Sequence, residues 1–526
     1  MTTSPKLYGG PSRLTPEPRR EQPGATLATT RGRLILLISS LAVLMVGLDS
    51  TALNIALPAL ERHLHASVCG LQWVVDSYNL VVASLMLLAS STGDRVGRRR
   101  TFRAGLLLFG LGSALCGLAP GTGSLIGFRV VQALGGAMLA PVSLSVITHT
   151  FTDRAERSRA IGAWSCAFGL GLALGPLAGG VLVAGGGWRS VFWINVPIVL
   201  ALLLLTRRFL PESRSAATRR ADLPGQALVI ALLGTLTYAV IEAPHRGWGS
   251  APISCCLAVA ALALAGLICW ERRRRDPLIE LRFFRSAPFS GSVIVSLAGF
   301  AALGGFLFIT TLYLQDVRGL SALPAGLWML PMPVMTVVFA PIAGRLVARR
   351  GPRLPMVLAG AAIAVSGLLF AACHVESSVV LLLVAFGLFG AGIGLVDVPA
   401  TGLAVDGMPR TQAGVASAIT MVSCRVGVAL GVAVIGAVLS AGLHGSPQAA
   451  STAGFLAASR AAWWVVTGCG VVVCGLGALV TGRWARQTAR TAAERLATAV
   501  PQPQAPASAE RPPTGGSADR RTPPPV

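Results

Sequence analysis

Uncharged, apolar stretches recur along the whole chain, at 34–48, 105–128, 223–241, 251–269, 286–312, 377–396 and 461–481. Arginines or carboxylates bound them within a few residues. Each run approaches the ~20 residues a helix needs to cross a ~30 Å hydrocarbon layer. Runs and loops together predict about fourteen spans, the first seven near 34–58, 72–92, 103–120, 123–147, 160–184, 188–206 and 224–244. The other seven lie near 251–270, 289–313, 322–344, 355–373, 377–399, 412–441 and 461–481. The pattern predicts an all-α integral membrane protein.

Composition agrees. The chain has 526 residues, 53% of them hydrophobic and only 12% charged, with a mean hydropathy of +0.68, whereas soluble domains carry roughly a quarter charged residues. The first 32 residues are polar, Pro-rich and Arg-bearing, which excludes a cleavable signal peptide. They are expected to form a disordered cytoplasmic N-terminus, and the Pro/Ala/Ser-rich 482–526 a disordered cytoplasmic tail. The ten cysteines lack the paired spacing of a zinc site or a disulfide framework, and the six histidines are scattered, so no metal is expected.

The net charge of +23 is not a nucleic-acid footprint, because of where it falls. Arginines cluster in alternate loops: Arg95 with Arg98 to Arg100, then Arg154, Arg157 and Arg159, then Arg207, Arg208, Arg219 and Arg220. Arg272 to Arg275, Arg345 to Arg353, Arg410 and the tail continue the series, while the intervening loops hold little beyond Arg62, Arg189, Arg246 and Arg318. This is the positive-inside pattern. With an even number of spans it places both termini in the cytoplasm of a multi-pass protein of the cell membrane.

The chain also repeats weakly. "STGDRVGRRR" (91–100) follows the second span and "AGRLVARRGPR" (343–353) the tenth. Such repeats mark secondary transporters, with a site between the halves near the midplane. The expected organisation is a six-helix bundle over 33–206, a linker with two extra spans over 207–285, and a second six-helix bundle over 286–481.

Three motifs carry a resemblance. In "SSTGDRVGRRR" (90–100), Asp94, Arg95, Gly97, Arg98 and Arg99 match the conserved cytoplasmic loop of the major facilitator superfamily, with Ser90 and Thr92 departing from it. "LIGFRVVQALGGAMLAP" (125–141) resembles the family's fourth-span motif through Arg129, Gln132 and Gly135. "GLALGPLAGG" (171–180) resembles the fifth-span motif associated with antiporters through Gly171, Gly175, Pro176, Gly179 and Gly180. "LDSTALNIALP" (48–58), "WRSVFWINVP" (188–197), "YLQDVRGLSALPAGLWMLP" (313–331) and the stretch 413–434 look like the fourteen-span drug:proton antiporter branch. The resemblance implies the major facilitator fold and proton-coupled export of hydrophobic or cationic drugs or antibiotics, by a monomer without cofactor. It covers roughly 33–445.

The residues themselves supply a negative. A phosphate-binding nucleotide loop needs a lysine, and the single lysine is Lys6 in the polar N-terminus. Uphill transport therefore has to draw on an ion gradient.

Asp49 lies about fifteen residues into an otherwise apolar span, where an ionised carboxylate costs several kcal/mol. Burial favours its neutral acid, and a nearby Arg129 favours the ion. Two readings stand: a site that loads and releases protons, or a fixed ion pair with Arg129. Arg425, midway through its span, is either a mirror of Arg129 in the second half or a seat for an anionic group. Asp76 and Glu242 are expected at the outer rims of their spans, and Asp397 beside the cytoplasmic loop arginines. Trp73, Tyr78, Phe168, Phe300 and Phe306 either line a drug cavity or face lipid. The competing function is a secondary carrier for an endogenous or self-made metabolite. An enzyme or sensor lacks both a metal cluster and a folded soluble domain.

Overall fold

The computed structural model describes residues 26–213, 222–274, 280–406, 408, 413–443 and 452–498. In hydrocarbon every backbone polar group has to be satisfied within its own segment, so apolar runs of this length wind into helices. The first half comprises α1 (Thr30–Leu64), α2 (Val68–Val96), α3 (Arg98–Gly117), α4 (Thr122–Thr150), α5 (Arg154–Gly186) and α6 (Ser190–Phe209, with a turn at Ile194). Two further helices follow, α7 (Leu223–Arg246) and α8 (Ala251–Arg273). The second half is α9 (Ala287–Val317), α10 (Ala322–Arg350), α11 (Arg353–Ala371), α12 (Val379–Val405), α13 (Ala413–Gly442) and α14 (Thr452–Leu479), and α15 (Arg483–Thr498) closes the described chain. Polar side chains start several of these helices: Thr29, Ser67, Asp153 and Asp222 each accept a hydrogen bond from an otherwise orphaned backbone N–H.

All fourteen expected spans are helices. Thirteen are long and apolar enough to cross a bilayer. The fourteenth, α3, has 20 residues and opens on Arg98, Arg99, Arg100 and Arg103, which lower its hydropathy although the rest of it is apolar.

The weak sequence repeat is a strong structural one. α1 packs on α5 as α9 packs on α13, α2 on α4 as α10 on α12, and α3 on α6 as α11 on α14. Small residues make the closest of these contacts. A β-carbon on Gly171, Gly175 or Gly179 would collide with α1, and one on Gly427 or Gly431 would collide with α9. The halves meet through α2 against α13 and α5 against α10. α7 leans on both α2 and α13, and α8 packs on α7, so the extra pair sits beside the seam rather than inside either bundle.

Among the described residues, the hydrogen bonds and the ion pair joining the two halves directly are at the end remote from the arginine clusters, the outer end. Gln72 donates to the Val432 and Ala433 carbonyls (3.3 and 2.9 Å), and Gln315 to the Ile55 carbonyl (2.8 Å). Arg62 lies 3.8 Å from Asp316. Gln315 and Asp316 belong to a single π-helical turn, Tyr313–Val317, that ends α9.

One expectation is corrected. The tail does not begin disordered, because Arg483–Thr498 is helical. The Pro-rich composition starts only at Pro501, and the preceding segment is Ala-rich, with Ala485, Ala489 and Ala492 buried. Arg219, Arg220, Arg275, Arg410, residues 1–25 and residues 499–526 lie outside the described residues.

Candidate functional site

α1 carries Asp49 into the first bundle opposite Arg129 of α4, and both side chains are excluded from solvent, at 0% and 1% exposure. Arg129 Nη1 donates to Asp49 Oδ2 at 2.8 Å. Gln132, one turn further along α4, and Asn195 at the start of α6 each donate to Asp49 Oδ1 at 2.9 Å. Ser113 of α3 accepts from both amides, at 2.7 and 3.2 Å. Arg129 also donates to Gln132 Oε1 (2.7 Å) and to the Val74 carbonyl of α2 (3.3 Å), and its guanidinium lies 4.3 Å from the Tyr78 ring centroid. This knot joins five helices and leaves both Asp49 oxygens bonded. Charge-assisted bonds of this kind are roughly twice as strong as neutral ones, and breaking a buried pair strands a charge. The motif pointed to Arg129 and Gln132. Sequence reasoning missed Ser113 and Asn195, and the one available signal was a polar side chain in an apolar span, as in "WRSVFWINVP".

Asp76 is the opposite case. The expectation of a rim position fails: Asp76 is wholly buried, and neither of its carboxylate oxygens has a hydrogen-bond partner among the described residues. It sits one helical turn past Gln72, on the α2 face that Gln72 presses against α13. The contact between the halves thus lies one turn away from it.

Glu242 lies one turn before the end of α7 and is bonded. It pairs with Arg246 (3.0 Å) and accepts from Cys69 and Trp73 of α2 (both 3.3 Å). His245, three residues on, contacts Ser440 Oγ of α13 at 2.9 Å. α7 thus ties its outer end to both halves.

Arg425 does not mirror Arg129. It is partly exposed, has no carboxylate partner among the described residues, and reaches across the seam to lie 5.3 Å from the Phe168 ring of α5. Asp397 does not pair with the described loop arginines either. It is exposed on α12, one turn from Gly394, which packs against Thr336 and Phe339 of α10. Of the aromatic candidates, Tyr78 lies under Arg129 and Trp73 against Tyr238 (6.0 Å). Phe306 is buried in a cluster with Phe370, Phe386, Phe389 and Trp463, which makes it core.

The cytoplasmic loop shows why its residue types are needed. Gly97 has φ +118°, a conformation that suits glycine. Asp94 pairs with Arg98 at 3.0 Å across that turn. Arg99 donates to the Arg207 carbonyl (2.7 Å) and, through its backbone, to Glu212 (3.2 Å), binding the loop to the end of α6. The stretch 171–180 makes the α1 contact already described, and Gly180 extends it to Ala322 and Leu323 of α10 in the other half.

The comparisons agree with this architecture. A family model described as the Major Facilitator Superfamily matches residues 39–432. The chain is 38% identical over 410 residues to the "Multidrug resistance protein Stp" of Mycobacterium tuberculosis, covering 78% of this chain and 76% of the relative. It is 37% identical over 407 residues to the "Tetracenomycin C resistance and export protein" of Streptomyces glaucescens, covering 77% and 75%. Among solved structures, the nucleoside transporter NupG superposes with a TM-score of 0.61 at 12% identity, covering 85% of this chain and 100% of that one. A bacterial homologue of the lysosomal transporter Spinster, in an inward-facing conformation, gives 0.60 at 18% identity, covering 88% and 99%. With two pseudo-equivalent six-helix bundles, the conserved loop and a family match over most of its length, the chain belongs to the major facilitator superfamily.

Proposed function

We propose that this protein is a proton-coupled antiporter that exports hydrophobic or cationic drugs or antibiotics from the cytoplasm. In this reading it acts as a monomer in the cell membrane, without cofactor, and both termini are cytoplasmic. The names of the relatives support the drug class. The observation that carries the coupling is the contrast between a fully bonded Asp49 and a fully buried Asp76 with no hydrogen-bond partner among the described residues. Burying an ionised carboxylate with no partner costs several kcal/mol, so the outer-closed packing fits Asp76 as the neutral acid. Separation of α2 from α13 readmits water, and there the acid loses or regains its proton. Asp76 is thus the proton carrier, and Asp49 holds the bundle that carries it.

Closure at the outer ends leaves the central surfaces of the halves facing the cytoplasm. Asp397, exposed and without an ion-pair partner among the described residues, offers a counter-charge to a cationic drug, and Arg425 over Phe168 is the polar element opposite. Export of a self-made metabolite is a second reading, favoured by the tetracenomycin relative, whose name joins resistance with export.

The test is ethidium transport in everted vesicles with an imposed pH step and no ATP. Wild type should accumulate ethidium uphill and lose that capacity with a protonophore. Asp76→Asn should equilibrate ethidium downhill while losing uphill accumulation. Full uphill transport by Asp76→Asn, or transport that follows ATP and ignores the gradient, overturns the proposal.

A further inference from the structure

We propose that the cytoplasmic end of the second half, built from α15 and the 3-10 turn Leu281–Arg285, is a binding surface for anionic lipid headgroups of the inner leaflet. α15 leaves the last span at Arg483 and packs on the start of α9 and on the turn. Its small face is fixed there. Ala485, Ala489 and Ala492 are buried, and Thr488 Oγ1 accepts the Ala287 N–H at 3.1 Å, one of the orphaned donors that begin α9. Phe283 and Phe289, buried with ring centroids 5.4 Å apart, hold the turn against the same helix.

With that face anchored, aromatic and basic side chains of the helix and the turn are exposed. Trp484 is 66% exposed, Phe284 of the turn is 40% exposed, and Arg282, Arg285 and Arg490 are exposed beside them. Arg282 shares its charge with Glu280 (3.6 Å), whereas Arg285 and Arg490 have no carboxylate partner among the described residues. Over 483–498 the sequence carries four arginines against the single Glu494. Trp484 comes five residues after Leu479, the end of α14, and Phe284 three before α9 begins. Both rings therefore sit at headgroup depth, where amphipathic aromatics anchor. Arginine recognises phosphate as a planar donor fork, and clustered basic side chains next to a span are drawn to anionic lipid.

Orientation of the spans alone does not call for this arrangement. Arginines set topology from any short loop and need neither a folded helix with a buried alanine face nor an exposed tryptophan beside them.

The test uses the purified full-length protein in detergent, melted with phosphatidylglycerol, with phosphatidylcholine, or with inorganic phosphate. Phosphatidylglycerol should raise the Tm by about 4 °C over phosphatidylcholine, and inorganic phosphate should not. Arg285→Gln/Arg490→Gln should match wild type in phosphatidylcholine and lose at least half of the phosphatidylglycerol increment. Arg345→Gln/Arg349→Gln, which removes two exposed arginines at the end of α10, should keep the increment. The proposal is overturned if the first pair keeps the full increment, if the second loses as much, or if phosphate reproduces the effect. A second readout needs no arginine variant. Brominated phosphatidylglycerol should quench the Trp484 emission, taken as wild type minus Trp484→Phe, more strongly than brominated phosphatidylcholine, and equal quenching also overturns it.

Discussion

Asp49 and Asp76 are carboxylates on consecutive helices of one bundle, yet their surroundings differ. Asp49 is held by three donors, one of them its counter-charge Arg129, and Asp76 by none among the described residues. Asp49→Asn leaves the Arg129 guanidinium buried without its counter-charge, a change that costs about 3–5 kcal/mol. Asp49→Asn/Arg129→Gln removes both charges and keeps amides able to bond with Gln132, Asn195 and Ser113. The single variant should melt well below wild type, and the double variant should recover most of that loss together with uphill ethidium transport. A double variant that melts normally yet fails to pump would make Asp49 itself a proton carrier.

At the scale of the element, glycine does two different jobs that the sequence motifs do not distinguish. Gly175 is a packing glycine, since a β-carbon there meets the Thr51 side chain and the α1 backbone. Gly97 is a turn glycine with open φ, in the cytoplasmic loop between α2 and α3. Gly175→Val should overpack the α1–α5 contact by ~1–3 kcal/mol or more and reduce the yield of monodisperse protein in size-exclusion chromatography. Gly97→Ala carries ~1–3 kcal/mol of local backbone strain outside the bilayer, so its yield should stay near wild type while export slows. Equal yields for Gly175→Val and wild type would show that close approach of α5 to α1 is not what those glycines provide.

At the scale of the molecule, transport requires the halves to part where they are now joined. A proton crossing ~100 mV gains about 2.3 kcal/mol and one pH unit adds about 1.4 kcal/mol, which sustains an outward gradient of a neutral drug of roughly a few hundredfold. In the proposed proton-coupled export, that energy reaches the drug only through alternating closure of the two ends. Arg62 and Asp316 face each other across the outer seam. With the native cysteines replaced, Arg62→Cys/Asp316→Cys treated with a cleavable bifunctional thiol reagent should stop ethidium export, and cleavage of the tether should restore it. Continued export with the tether intact would mean that the outer ends need not separate.

The spans and the gathering of arginines in alternate loops were legible in the sequence, because hydrophobic length and basic loop charge act locally and need no folded partner. The cytoplasmic turn at Gly97 and the Asp49–Arg129 candidate pair were legible too, through motifs with fixed spacing. Tertiary packing alone decided which carboxylate is satisfied. Asn195 reaches Asp49 from a helix 146 residues away along the chain, and Ser113, 64 residues away, holds the two amides that bond it; no periodicity announces that convergence. Asp76 reads as a rim residue when its depth is counted along α2. It is a sealed one in the structure, one turn from Gln72, against which α13, more than 300 residues later, lays its backbone. Desolvation is a property of what surrounds a group on every side, and a linear pattern records only its neighbours in the chain.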